Sequence, residues 1–147
     1  MKTNKITVVP RLRFPEFRDG GDWEIKQVKD LLDYEQPTKY LVNNTNYINK
    51  GIPVLTANKS FILGYTNEQE GIYRNPPVII FDDFTTDSKY VDFAFKVKSS
   101  AIKILSSKGA NDIRFSHALF HTITFDASQH KRYYISTYQN ISIKVPT

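Results

Sequence analysis

The chain has 147 residues, of which 40% are apolar and 14% aromatic, with a formal net charge of +5, a composition that excludes a disordered chain and suits one domain with a proper core. Cysteine is absent, so thiol enzymes, thiolate metal sites and disulfide frameworks are excluded, in keeping with a cytoplasmic location. The N-terminal stretch lacks the apolar run of a signal sequence, and no segment approaches the roughly 18 apolar residues of a membrane span.

Ten Phe and nine Tyr beside six Gly favour pleated, half-buried surfaces. The expectation is an α+β fold: a β-rich single domain of short, mostly antiparallel strands with one or a few helices. Residues 1–22, with two prolines and the Gly20-Gly21 pair, read as an N-terminal arm that can fold back through Leu12, Phe14 and Phe17. Residues 23–147 form the domain proper.

In that domain the alternation of W-E-I-K-Q-V predicts a strand from Trp23, and K-D-L-L-D a helical turn. Residues 36–49 are polar and read as loop, with a short strand at Tyr40 to Val42. I-P-V-L-T from Ile52 and F-I-L-G-Y-T from Phe61 predict two strands joined by a turn carrying Asn58, Lys59 and Ser60. Pro53 places the first at a sheet edge, or at its own start.

Val78 to Phe81 is a short apolar strand. After a polar loop from Asp82, Tyr90 to Val97 alternates strictly, with Val91, Phe93, Phe95 and Val97 on one face and Asp92, Ala94, Lys96 and Lys98 on the other. Lys96 and Lys98 accordingly read as solubilising groups on an exposed face. Ala101 to Leu105 predicts another strand. Beyond Gly109, Asn111 or Asp112 caps a helix whose Phe115, Leu119, Phe120 and Ile123 share a face. A last strand near Tyr138 to Val145 buries Ile141, Ile143 and Val145.

Charge is unevenly spread. From Lys96 onward there are eight basic residues and two acids, against twelve and thirteen before it, so the whole positive excess lies in the last third and suggests a polyanionic partner. Catalytic signatures are weak by comparison. Asp82, Asp83 and Asp87 offer carboxylates for a metal-dependent nuclease, but Asp82 and Asp83 are adjacent at a strand end, project apart, and suit turn capping better. His117 and His121 share a helix face, yet Ala118 stands where an H-E-x-x-H motif needs its acid, and no third ligand is near. The sequence has neither a glycine-rich phosphate loop nor a nucleophile elbow. A protein-interaction module is a further alternative, resting on the aromatic count alone.

The blocks R-L-R-F-P-E-F at 11–17, W-E at 23–24, E-Q-P-T-K-Y at 35–40, P-V-L-T-A-N-K-S-F-I-L-G-Y-T at 53–66 and P-V-I-I-F-D-D-F-T-T at 77–86 closely resemble the DNA-specificity subunit of type I restriction-modification systems. The runs at 91–105 and 132–146 look like that family's target recognition domain. The resemblance implies a non-catalytic domain that reads one half of a bipartite site in double-stranded DNA, beside methyltransferase and restriction subunits. S-adenosylmethionine, ATP and magnesium would then belong to those subunits and no cofactor or metal to this chain. The conserved spacer helix of the family is absent after V-P-T, so the expectation is a lone recognition domain, monomeric when isolated.

Reading bases needs donors and acceptors on a rigid scaffold, and positioning needs cations against phosphates. Three loops meet both needs: Lys39, Tyr40, Asn43 and Asn44; Asn58, Lys59 and Ser60; and Thr85, Thr86, Ser88, Lys89 and Tyr90. Lys131 and Arg132, with nothing nearby to fix their orientation, suit phosphate clamps.

Overall fold

The computed structural model describes residues 23–109, 111–123, 125–129 and 131–146. The predicted N-terminal arm lies outside them. Nine strands and two α-helices follow in the order β1 (Trp23–Gln27), α1 (Val28–Leu31), β2 (Leu32–Glu35), β3 (Ile52–Leu55), β4 (Ile62–Thr66), β5 (Val78–Asp82), β6 (Ser88–Val91), β7 (Lys96–Val97), β8 (Ile102–Ser107), α2 (Ile113–Phe120) and β9 (Ser142–Pro146). Single 3₁₀ turns occupy Thr38–Tyr40 and Tyr138–Asn140.

The strands form three sheets, ordered β2-β8-β5-β6, β4-β3-β7 and β1-β9. Every pairing is antiparallel except β3 with β7, as the β-rich α+β expectation requires. Strand β5 occupies an interior position in the four-stranded sheet, and all five of its residues are buried. Its side chains alternate between two cores. Ile79 and Phe81 join Val28, Leu31, Leu119, Phe120, Tyr134, Tyr138, Ile143 and Val145 on one face. Val78 and Ile80 join Leu55, Tyr73, Phe95 and Val97 on the other. At about 1.5–3 kcal/mol for each fully buried large apolar side chain, this doubly covered strand is the main organiser of the domain.

Local signals explain several ends. The Asp30 carboxylate accepts the Gln27 main-chain N–H at 2.8 Å, closing the first turn of α1. Asp112 accepts from the Arg114 N–H at 2.9 Å at the start of α2, as the cap predicted from sequence requires. Phe115 and Ile123 are partly buried against the first core, on the side that holds Leu119 and Phe120.

Several expectations about the strands need correction, among them the short strand at Tyr40 to Val42, where a 3₁₀ turn ends at Tyr40 and Leu41 makes an isolated bridge to Val97. Tyr90 to Val97 is not one strand: β6 ends at Val91 in the four-stranded sheet, and β7 restarts at Lys96 in the three-stranded one. Residues 92–95 are thus the crossing between sheets. Leu32 and Asp33, read as the end of a helical turn, instead open strand β2, where they pair with Ser107 and Ser106 of β8. Of the two alternatives for Pro53, the sheet edge fails, since β3 is the middle strand of its sheet, whereas the start of the strand holds: Pro53 is the second residue of β3 and the parallel partner β7 begins only opposite Val54.

Candidate nucleic-acid interface

The turn joining β3 to β4 and the turn leaving β5 lie against each other. In the first, Thr56 N–H donates to the Phe61 carbonyl at 2.8 Å and Phe61 N–H to the Asn58 carbonyl at 3.0 Å. Asn58, Lys59 and Ser60 are left exposed at the tip. In the second, Asp82 Oδ1 accepts the N–H groups of Phe84 and Thr85 at 2.8 and 2.9 Å, and Thr86 takes the left-handed region at φ 62°, which a β-branched residue enters only when the surrounding bonds enforce it. Thr85 Oγ1 reaches Asn58 Oδ1 at 3.5 Å, and Lys89 Nζ donates to the Ala57 carbonyl at 3.3 Å. Two of the three loops proposed from sequence therefore meet, one amide and one hydroxyl side by side.

The connection after β7 joins the same edge. Lys98 N–H donates to the Leu55 carbonyl, and the Asp83 N–H to the Ala101 carbonyl at 2.8 Å. Lys98 is exposed here, a cation that strand alternation alone could not assign to this edge.

Behind these turns lies a buried ionic cluster. Asp83 and Lys103 are 0% and 2% exposed and form an ion pair. The other Asp83 oxygen accepts the Tyr134 N–H at 3.0 Å, and its carbonyl accepts the Tyr133 N–H at 2.9 Å. Arg132 Nη1 lies 3.6 Å from Asp83 Oδ2 and donates to the Ser100 carbonyl at 3.0 Å, while its guanidinium stands 5.1 Å from the centroid of the Phe84 ring. Arg132 is thus held from three sides, contrary to the expectation that nothing fixes it. Lys131 fits that expectation better: its ammonium lies 5.9 Å from the centroid of the Tyr133 ring, and among the described residues it makes no hydrogen bond or ion pair.

The first loop is built separately. Tyr40 spends its hydroxyl on Glu35 Oε2 at 2.8 Å and its ring on Tyr73, 5.1 Å between centroids. Burial, with the Glu35 carboxylate beside it, pushes the Tyr40 phenol up to about 12. Glu68 accepts the N–H groups of Asn43 and Asn44 and pairs with Lys96 at 2.8 Å. Lys96 is 2% exposed and donates to the Glu70 carbonyl at 2.7 Å. The exposed-face reading of Lys96 is therefore wrong: residues 39–44 and 68–71 cover that face of β7. Lys39, Asn43 and Asn44 remain exposed, but among the described residues no hydrogen bond links this loop to the other two.

Ser88, Lys89 and Tyr90 lie on β6 rather than in the turn. Tyr90 accepts a hydrogen bond from Arg114 Nε at 3.1 Å, and its ring carries that guanidinium at 5.1 Å. The His117 and His121 rings are 4.9 Å apart. Burial, reinforced by His121, lowers the His117 pKa. Among the described residues no group of three or more His, Asp or Glu side chains is placed to hold a metal ion; Asp82 caps a turn and Asp83 faces the interior, so the carboxylates proposed for a nuclease do not converge. No described helix is long and apolar enough to cross a membrane.

The described residues form a β-rich α+β scaffold on which two polar turns pack against each other. No family model matches the chain. It is 47% identical over 135 residues to the type I restriction enzyme EcoR124I/EcoR124II specificity subunit of Escherichia coli, which covers 87% of this chain and 33% of that protein. Among solved structures, the type I restriction-modification S subunit of M. genitalium matches with a TM-score of 0.62 at 10% identity, over 88% of this chain and 36% of that one. The HsdS subunit of Thermoanaerobacter tengcongensis matches at 0.53 and 11%, over 96% and 36%. Over 87% of its own length the chain is thus similar to part of a type I restriction enzyme specificity subunit, and it shares the fold of part of the solved S subunits. It spans about a third of the length of the relatives it matches.

Proposed function

We propose that this domain binds double-stranded DNA sequence-specifically, reading one half of a bipartite site for a type I restriction-modification complex. The observation that carries the reading is the pairing of the 56–60 and 83–87 turns, with Lys59, Lys89, Lys98 and Arg132 at or beside them. Amide and hydroxyl groups held on a stiff scaffold suit base edges, and the cations around them suit phosphates. Methyl transfer and DNA cleavage then belong to partner subunits in the cytoplasm, with their S-adenosylmethionine, ATP and magnesium. The isolated domain works as a monomer and needs no cofactor.

Fluorescence anisotropy of a labelled duplex across a salt series tests this directly. Affinity is expected to fall with salt at a logarithmic slope of about 0.9 per neutralised phosphate, from a Kd on the order of micromolar for arbitrary sequences. Salt-independent association, or none at low salt, refutes the reading.

A further inference from the structure

We infer that Arg132 reads a guanine edge, and that the buried Lys103–Asp83 pair is the device that aims it; the inference rests on the DNA-reading function proposed above. A phosphate contact asks only for positive charge within reach. Base reading by arginine asks for more: two parallel N–H groups presented in a fixed plane to the O6 and N7 acceptors of guanine.

Arg132 meets that demand. Its Nη1 corner is tied to the Ser100 carbonyl and the Asp83 carboxylate, and its flat face to the Phe84 ring. The opposite edge, Nε with Nη2, carries three of the five guanidinium protons and makes no hydrogen bond among the described residues, while 51% of the side chain is exposed. Asp83 cannot swing to follow the arginine, because Lys103 holds one of its oxygens and the Tyr134 N–H the other. Lys103 also balances the carboxylate, so the charge of Arg132 is not cancelled by its own support. Arg132 borders a cleft of about 240 Å³ that Gln36, Thr38, Asp83, Ser100 and Lys103 also line. Lys131, one residue earlier, has its ammonium near the Tyr133 ring and no hydrogen bond among the described residues, and as a point charge on a flexible stem it serves as the phosphate contact of the two.

The test begins with selection of bound sequences from a randomised duplex pool by the wild-type chain, then by Arg132→Lys, which keeps the charge and loses the fork. One guanine of the enriched motif should lose its preference by roughly 5- to 150-fold in the variant, the value of a bidentate base pair contact, with the other positions unchanged. Replacing that guanine by 7-deazaguanine, which lacks the N7 acceptor, should weaken the wild type and leave the variant indifferent. The deaza scan on wild-type protein stands even if the variant folds poorly. A wild-type motif that the variant reads unchanged, with a uniform loss of affinity, makes Arg132 a phosphate contact and overturns the inference while sparing the function. A wild-type chain that enriches no motif overturns both.

Discussion

Lys96 sets its ammonium 2.8 Å from the Glu68 carboxylate at 2% exposure, and that carboxylate also accepts the Asn44 N–H at 2.9 Å. One buried cation thus shapes an exposed loop through an acid that belongs to neither. The pair lowers the Glu68 pKa, chiefly through its bond to Lys96 and against the effect of burial. A carboxylate whose folded pKa lies below its unfolded one adds stability that is fully present above the usual 4.5 and is lost as pH falls through the depressed value. Urea unfolding at pH 6 and pH 3 should show a smaller acid loss in Glu68→Gln than in the wild type. An equal loss would mean that Glu68 is not the group being protonated.

Removing one partner of the deeper pair should be harsher. Asp83→Ala leaves Lys103 charged and unpaired in the interior, an effect worth about 3–5 kcal/mol. The Asp83→Leu/Lys103→Met double variant removes both charges and should regain most of that loss in chemical denaturation, since a well-packed apolar replacement of a buried pair is often neutral. A double variant as unstable as the single one would show that the main-chain bonds to Asp83, rather than the charges, are what the fold needs.

Phe81 is fully buried on β5, with the rings of Tyr138, Tyr134 and Phe120 at 4.7, 5.3 and 6.2 Å between centroids. Phe81→Ala should cost about 3–5 kcal/mol through lost burial and the cavity left behind. Equilibrium denaturation reads it as a lower midpoint at unchanged slope. A loss below about 1 kcal/mol would show that the aromatic cluster can close over the gap.

Lys59 is exposed at the tip of the β3–β4 turn, and Lys131 is exposed near the other end of the chain. If each meets a phosphate, Lys59→Ala and Lys131→Ala should each lower the slope of log affinity against log salt by about 0.9, leaving sequence preference intact. A variant with unchanged slope does not touch the DNA backbone.

Much of the scaffold is legible in the residues themselves. V-I-I-F between turn signals announces β5, Asp112 announces α2, and the polar tip at Asn58 announces the β3–β4 hairpin. What could not be read is whatever depends on a distant partner. Lys96 alternates with Phe95 and Val97 as an exposed residue would, and only Glu68 and the loop above it turn that position inward. Lys103 looks like a surface lysine until Asp83 is found beside it. Arg132 has the same history: its neighbours in sequence leave it free, and Ser100, Asp83 and Phe84 hold it. Two of the eight basic residues behind the apparent charge excess are therefore internal counter-ions, so the cationic edge is smaller than composition implies, and more rigid.

The central claim is that the paired turns and Arg132 read base sequence, and selection from a randomised duplex pool by the wild-type chain measures that most directly. The account predicts enrichment of one short contiguous motif, including a guanine. Recovery of a pool as random as the input, under salt conditions where the chain demonstrably binds duplex, would contradict it.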